Sequence, residues 1–373
     1  MLDGFKLKYF PFRLLLYIVV LNTIGILVIS SATGGDKGMV AKQIFGIVLG
    51  LVLVVFISFI HYRKIMELMW IVYGICIILL LAVLVFGYAP EGAGAVRWIK
   101  VAVIGQLQPS EIVKIGMILF VAAFLGKHQE DIDRISFLLV FAAVAAVPCF
   151  LILKEPDLST TIVVFIMLLS MLFISGISYK WVLGSIAFVI PSAAIFIFLL
   201  LSNTVPFLRG YQANRILGWI YPDKYADINV QQDNSIMAIS SGQMMGKGLN
   251  NNTFASVKNG NFISQDQTDF IFAVIGEELG FVGSMVVIVL FAFIVIECFR
   301  LASKAKDLEG KLVCVGFAAL VGFQSFTNIS VATGLFPNTG LPLPFISYGV
   351  SSLLSLYLGV GLVASVAVRQ GKN

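Results

Sequence analysis

Two arginines, Arg209 and Arg215, lie in a polar stretch that is rich in turn-forming residues. The guanidinium group forms two parallel hydrogen bonds to phosphate oxygens, so these side chains could hold a phosphate or pyrophosphate. A merely solvated loop arginine is the competing interpretation. The nearby stretch Gly242-Gln-Met-Met-Gly-Lys-Gly248 is not a phosphate loop, because the Walker spacing and the following Ser or Thr are missing. We expect its glycines to serve a tight turn.

Carboxylates and one lysine lie near the ends of long apolar segments. Glu111 and Lys114 are spaced i,i+3, so they can pair across one face of a helix. Asp269, Glu277 and Glu278 accompany another apolar segment. Ionisable groups at membrane depth are costly and therefore functional candidates, with a purely structural ion pair as the main alternative. Eight positions correspond to about 80° around a helix, so we expect Glu277 to face the side of Asp269. Glu278 is then expected to pack or pair elsewhere, with Lys114 as a counterion.

These side chains must be positioned by membrane helices. Of the 373 residues, 59% are hydrophobic and 12% are charged, whereas soluble proteins have about 25% charged residues. About 20 apolar residues form a helix that crosses about 30 Å of hydrocarbon with its backbone hydrogen bonds satisfied. The apolar runs do not alternate as the strands of a membrane barrel do. There are about ten such runs, namely 14–31, 43–60, 66–88, 110–126, 136–154, 159–176, 181–202, 268–299, 312–334 and 345–368.

Lysine and arginine are concentrated at the termini and in the even-numbered loops. The positive-inside rule therefore places both termini in the cytoplasm. The polar stretch 203–267, between the seventh and eighth runs, becomes a large extracytoplasmic loop that is too long for a simple connector. The first run is long enough to span and lacks a cleavage site, so we expect an uncleaved helix. The sequence thus predicts an all-α, polytopic protein with one integral membrane domain over residues 1–373.

Several classes of site do not fit this sequence. The four cysteines lie in apolar runs without metal or redox spacing, and we expect them to be packing residues. The two histidines lie on the predicted cytoplasmic side and do not suggest a zinc or haem site. The net charge of +5 mostly reflects the cytoplasmic loops, so nucleic-acid binding is not expected. The ionisable groups gather at the outer leaflet rather than at the midplane, where transporters commonly bind substrates. That position suits a lipid-linked substrate with its polar head outside.

Ordered motifs cover nearly the whole chain. They are Arg97-Trp98-Ile99, Gln108-Pro-Ser-Glu-Ile-Val-Lys114, Glu155-Pro-Asp-Leu-Ser-Thr160, Tyr211-Gln-Ala-Asn-Arg215, Pro222-Asp223, Ser241-Gly242, Gly246-Lys-Gly248, Thr268-Asp-Phe-Ile-Phe272, Glu277-Glu-Leu-Gly280, Asn328 and Pro337-Asn-Thr-Gly-Leu-Pro-Leu-Pro-Phe-Ile-Ser-Tyr-Gly349. With them the chain resembles the SEDS family, the RodA/FtsW type of bacterial peptidoglycan glycosyltransferase. It departs from the family pattern at Ser264-Gln-Asp-Gln267, where Pro-Glu-x-His is common, and at Ser159 and Val350, which replace common glycines.

The resemblance implies that the chain polymerises lipid II into glycan strands at the outer face of the bacterial cytoplasmic membrane and releases undecaprenyl pyrophosphate. Asp269 aligns with the family's essential aspartate, as general base or as a carboxylate that positions a divalent cation, Mg²⁺ or Mn²⁺. By sequence alone the pattern favours a helix cap at Asp269, and the family resemblance reverses this preference. Arg215 and then Arg209 are the expected pyrophosphate contacts. Further residues expected to bind the substrate or support the site are Arg97, Glu111, Lys114, Gln212, Glu277 and Ser347.

The resemblance also implies a partner, a class B penicillin-binding protein that cross-links the strands. Two other functions fit the sequence: a flippase for a lipid-linked precursor, and a noncatalytic scaffold of a cell-wall assembly complex. A flippase needs a polar path through the bilayer, and the absence of evident charges at the midplane counts against it. A scaffold would tolerate the loss of Asp269. The sequence does not distinguish roles in elongation, division and sporulation.

Overall fold

The computed structural model describes residues 6–89, 96–101, 105–185, 211–250 and 267–370, and within 186–200 only residues 187, 191, 195 and 199. Within these ranges the protein is all-α apart from one small hairpin. Its helices are α1 (Phe12–Ala32), α2 (Lys37–Phe59), α3 (Tyr62–Glu67), α4 (Met69–Phe86), α5 (Pro109–Lys127), α6 (Ile135–Lys154), α7 (Leu158–Ile174), α8 (Tyr211–Ile220), α9 (Ala226–Ser241), α10 (Ile271–Ala302), α11 (Leu308–Ala332) and α12 (Val350–Ala367). Strands β1 (Ile99–Val101) and β2 (Gly105–Leu107) pair antiparallel.

Eight of these helices are long and apolar enough to cross a membrane, namely α1, α2, α4, α5, α6, α10, α11 and α12. The shorter apolar helix α7 corresponds to a further predicted run. The predicted run 181–202 lies mostly outside the described residues. The two largest differences from the predicted boundaries are at the starts of α2 and α12. Helix α2 begins earlier because Asp36 caps it through the N–H of Gly38, and α12 begins only at Val350 because the preceding residues form a loop.

Helices α5, α11 and α12 form the centre of the bundle, where most of their residues are buried. Helices α2, α4 and α6 surround them and expose many apolar side chains. Exposed apolar faces on long helices are the arrangement expected where lipid tails replace water. Helix α7 packs against α5 and α11, and α2 packs along α12. The chain is therefore a polytopic membrane protein with a densely packed central layer.

Helix α10 is interrupted at Gly280, whose φ of +66° and ψ of −164° are not helical. Only glycine adopts this region without strain. The sequence prediction of one continuous segment is wrong at this point. A break leaves backbone carbonyl and N–H groups without partners in their own helix, and such groups are tolerated at membrane depth only if the protein satisfies them.

Residues 243–248, directly after α9, satisfy the broken turn of α10. Four backbone hydrogen bonds join the two segments: Lys247 N to Glu277 O at 2.9 Å, Gly248 N to Glu278 O at 3.0 Å, Phe281 N to Gln243 O at 2.8 Å, and Val282 N to Met244 O at 3.1 Å. Gly246 and Gly248 have φ values of +78° and +90°. The predicted tight turn is therefore confirmed, and it attaches the segment after α9 to the membrane bundle.

Helix α9 lies across the end of α11 and satisfies its last carbonyl groups, which have no partner within their own helix. Gln232 donates to the carbonyls of Val331 at 2.8 Å and Phe336 at 2.7 Å. Ser235 donates to the carbonyl of Ala332 at 2.8 Å. The described part of the predicted loop 203–267 thus contains helices α8 and α9 and the turn 243–248, and both α9 and this turn pack on the bundle. We refer below to this end of the bundle, where α10 begins, as the Asp269 end.

Candidate functional site

Asp269 lies in the turn that immediately precedes α10, and this turn is held at three consecutive carbonyl groups. The carbonyl of Gln267 accepts from the N–H of Tyr348 at 2.9 Å. The carbonyl of Thr268 accepts from the hydroxyl of Ser347 at 2.6 Å. The carbonyl of Asp269 itself accepts from the side-chain amide of Asn328 at 2.8 Å. The backbone of Asp269 is therefore fixed from two directions, by α11 and by the loop before α12.

The carboxylate of Asp269 and the guanidinium of Arg215 meet at Gly340. A Cβ at Gly340 would lie 3.1 Å from Asp269 Oδ2 and 3.8 Å from Arg215 Nη1. Gly340 has φ +73°, so glycine is required there by both conformation and space. Arg215 Nη1 also donates to the carbonyl of Asn338 at 3.1 Å, which fixes the guanidinium beside this turn.

A second arginine, Arg97, holds the turn between α6 and α7. It donates to the carbonyls of Glu155, at 3.3 Å, and Pro156, and its Nη1 lies 3.5 Å from Asp157 Oδ2. Asp157 also caps α7 by accepting the N–H of Thr160 at 3.1 Å. The small hairpin β1–β2 begins just after Arg97 and leads into α5. Arg97 therefore joins the connection between α4 and α5 to the start of α7.

Charge and burial act together on Asp269. Its side chain is partly buried, and burial raises the pKa of the carboxyl to about 6. The guanidinium groups of Arg215 and Arg97 lower this pKa, while the Asp157 carboxylate raises it. Asp269 is thus mostly ionised at neutral pH but more basic than an ordinary aspartate, as a proton acceptor requires. Glu155 is buried nearby, and burial followed by repulsion from Asp157 raises its pKa to about 8.

The predicted pairing of Glu111 with Lys114 is confirmed, at 2.8 Å between two fully buried side chains. Lys114 also donates to Gln324 at 2.8 Å, and Gln324 in turn donates to the carbonyl of Pro342 at 3.0 Å. Glu111 accepts from Ser352 at 3.2 Å. Among the described residues, the Glu111–Lys114 pair is thus linked through Gln324 to the loop before α12, and both of its charged groups form hydrogen bonds within the protein.

Two further expectations are corrected by the structure. Glu277 pairs with Lys247 at 2.8 Å, and Glu278 accepts from Ser31, so Lys114 is not their counterion. The calculated angle between Asp269 and Glu277 does not apply, because α10 begins only at Ile271.

Ser347, expected to contact substrate, uses its hydroxyl within the protein. The hydroxyl accepts from the N–H of Leu343 at 2.7 Å while it donates to Thr268. Arg209 lies outside the described residues, and so does the side chain of Gln212. Sequence reasoning missed the roles of Asn328 and Asp157, although both stand in the ordered motifs and could have been singled out as polar residues at the ends of apolar runs.

A divalent cation would find limited ligands here. Within the described ranges, no group of three or more His, Cys, Asp or Glu side chains could hold a metal ion. Asp269 offers one carboxylate, beside Arg215. Mg²⁺ is often held by one or two protein carboxylates together with substrate phosphates and water. The residues present therefore fit a cation that arrives with a phosphorylated substrate, and they do not form a metal cage of their own.

Comparison with known proteins identifies relatives of the whole chain. Residues 12–372 match the family model described as cell cycle protein, FtsW/RodA/SpoVE. The peptidoglycan glycosyltransferase MrdB of Escherichia coli K12 is 33% identical over 360 residues, which is 95% of this chain and 92% of that protein. The probable peptidoglycan glycosyltransferase FtsW of Bacillus subtilis is 31% identical, covering 97% and 91%.

Two solved structures share the fold. A chain from work on the structural coordination of polymerization and crosslinking by a peptidoglycan synthase complex superposes with a TM-score of 0.76 at 30% identity, covering 95% of this chain and 97% of that chain. The rod shape determining protein RodA of Thermus thermophilus superposes with a TM-score of 0.68 at 26% identity, covering 97% of each chain.

Proposed function

The chain belongs to the FtsW/RodA/SpoVE family, the SEDS proteins, and we propose that it is a peptidoglycan glycosyltransferase that polymerises lipid II. The polymerisation takes place at the outer face of the cytoplasmic membrane and releases undecaprenyl pyrophosphate. The observation that carries the proposal is that a basic carboxylate, Asp269, and the guanidinium of Arg215 both lie beside Gly340 at one end of a membrane bundle. Glycosyl transfer from a lipid pyrophosphate needs both a proton acceptor and a cationic group.

Asp269 accepts the proton of the acceptor sugar hydroxyl as that oxygen attacks the anomeric carbon of the donor. Because its pKa is about 6, the carboxylate is available at neutral pH and has enough basicity to assist the attack. The bond from the anomeric carbon to the pyrophosphate oxygen breaks as the new glycosidic bond forms. Arg215 stabilises the negative charge that develops on the departing pyrophosphate. Arg97 contributes positive potential while it holds the turn at Asp157.

A divalent cation, Mg²⁺ or Mn²⁺, is part of the proposal. When bound, it would neutralise the leaving phosphates as a Lewis acid. As the alternative to its role as the base, Asp269 would supply a carboxylate ligand to such a cation. The hydrogen bonds to the carbonyls of residues 267–269 fix the turn that carries this carboxylate.

The lipid part of the substrate and the partner also fit this arrangement. The apolar outer faces of α2, α4 and α6 place the bundle in the bilayer, so a polyprenyl tail can remain in lipid while the head reaches Asp269. The proposed partner is a class B penicillin-binding protein. The similar chain from a peptidoglycan synthase complex, in which polymerization and crosslinking are coordinated, supports this choice. Both termini are proposed to lie in the cytoplasm.

The proposal is tested by supplying labelled lipid II and Mg²⁺ to the purified chain with its transpeptidase partner. Asp269→Asn keeps the size of the side chain and removes the base, so we expect polymer from wild type and none from the variant. Asp227→Asn, at an exposed position of α9, is the matched control and should polymerise like wild type. Equal polymer from Asp269→Asn would remove Asp269 from the mechanism. Lipid transfer across vesicles without polymer would indicate a flippase instead.

A further inference from the structure

Helix α2 packs closely against α12 along one face, which carries Gln43, Gly46 and Gly50. A Cβ at Gly46 would lie 3.2 Å from a methyl of Leu353, and a Cβ at Gly50 would lie 2.1 Å from the ring of Tyr357. Small residues allow membrane helices to approach this closely. Gln43 is the first of these three residues, at the Asp269 end, and it therefore faces the residues just before α12 begins.

The amide of Gln43 is fully buried and bonds to the backbone of two residues. Its Nε2 donates to the carbonyl of Ser347 at 3.2 Å, and its Oε1 accepts the N–H of Gly349 at 3.3 Å. A polar amide in an apolar helix is costly unless it is satisfied, and here the donor and the acceptor both find partners. The segment has no helix or sheet of its own at this point, so these bonds fix its course.

The same segment carries the contacts that hold the turn of Asp269. Ser347 donates to the carbonyl of Thr268, and Tyr348 donates to the carbonyl of Gln267. The Gln43 side chain forms hydrogen bonds with the backbone on both sides of Tyr348, at residues 347 and 349. One buried amide on α2 thus sets the position of both groups that hold residues 267 and 268.

We propose that Gln43 is a positioning residue for catalysis, which holds residues 347–349 so that Ser347 and Tyr348 fix the turn carrying Asp269. This inference rests on the proposed function of Asp269 as general base. Gln43 does not touch the substrate and acts only through the loop before α12. Misplacement of a reacting group by about 1 Å can lower a rate by about 100-fold, so loosening this loop lowers kcat more than it raises KM.

The first test is kinetic, with Gln43→Leu as an apolar variant whose side chain is one heavy atom smaller. We expect kcat for lipid II polymerisation to fall by about 10-fold to 100-fold while KM changes by less than about twofold. Ser58→Ala is the matched control, because Ser58 is also buried on α2 but bonds to Val55 of its own helix. A rise in KM with unchanged kcat, or an equal loss of kcat in Ser58→Ala, would overturn the proposal.

A double-mutant cycle separates positioning from general stability. Gln43→Leu and Ser347→Ala interrupt the same connection, so their effects on kcat should be less than additive. Additive effects would show that Gln43 acts through another route.

Hydrogen exchange tests the contact without any need for activity. In Gln43→Leu the amides of residues 343–349 should exchange faster than in wild type, and those in Ser58→Ala should not. Unchanged exchange would refute the positioning role. If wild type itself made no polymer, the proposed function would fail while the exchange experiment still reported on the contact.

Discussion

Removing the charge of Arg215 should move the acidic limb of the pH–rate profile to higher pH. This limb reports the protonation of Asp269, whose pKa is about 6. Burial and the nearby Asp157 carboxylate raise this pKa, whereas Arg215 and Arg97 lower it. In Arg215→Met the burial remains and one opposing cation is lost. The pKa of Asp269 therefore rises, and a larger fraction of the base is protonated at any pH near 6.

The size of the change follows from the geometry at Gly340. Its Cβ position lies 3.1 Å from Asp269 Oδ2 and 3.8 Å from Arg215 Nη1, so these two atoms are at most about 7 Å apart. At that separation two unit charges interact by about 2.4 kcal/mol at an effective dielectric constant of about 20 and by about 0.6 kcal/mol in water. With 1.36 kcal/mol for each pKa unit, we expect the pKa of Asp269 to rise by roughly 0.4 to 1.8 units.

The assay is kcat/KM for lipid II polymerisation between about pH 5 and pH 9 at fixed Mg²⁺. Wild type should reach half of its limiting value near pH 6, and Arg215→Met nearer pH 7. Arg134→Met removes an exposed arginine that pairs with Asp131 and should leave the limb unchanged. A limb for Arg215→Met at the wild-type pH, or below it, would refute this account of the site's electrostatics, whatever the change in overall rate.

Two further predictions concern stability, measured by thermal unfolding in detergent. Gly246→Ala should lower the free energy of unfolding by about 1–3 kcal/mol more than Gly248→Ala does. Both glycines have positive φ, but only at Gly246 would the added Cβ lie close to another group, 2.1 Å from the carbonyl oxygen of Glu278. Equal losses in the two variants would contradict this. Burial favours the neutral form of Glu155 and raises its pKa from 4.5 to about 8. The folded wild type therefore loses stability as the pH rises from about 4.5 to about 8. Glu155→Gln should escape that loss, and parallel pH curves would argue against it.

The membrane segments were largely predictable because apolar length is a strong signal. The interruption of α10 was not. Leu279, Gly280 and Phe281 stand in an otherwise apolar run, and single glycines are common in membrane helices. What makes the break stable is the turn 243–248, which supplies four backbone hydrogen bonds. Backbone partners carry no sequence signature, so this feature could be found only from the structure.

The candidate site shows the same division. Its proposed reactive residues, Asp269 and Arg215, stand in the ordered motifs, and the structure places both beside Gly340. The assignments that depended on periodicity failed where the helix did not extend, as for Asp269 and Glu277. Ser347 has the chemistry to bind a sugar, but its hydroxyl is used by two backbone groups. Residue type alone does not say which partner a hydroxyl has.

The loop before α12 is where the supporting contacts converge. Gln43 of α2 donates to the Ser347 carbonyl of this loop. Gln324, which bonds to Lys114 of the Glu111–Lys114 pair, donates to the Pro342 carbonyl. Asn328 donates to the carbonyls of Leu341, at 2.7 Å, and Asp269, at 2.8 Å. Each contact satisfies a buried polar group that would be costly in the bilayer if unpaired. The same bonds that make these polar side chains tolerable therefore also fix the reactive carboxylate. Stability and positioning are coupled here, and a variant that separates them, by lowering kcat with little change in unfolding temperature, identifies the contacts used for catalysis.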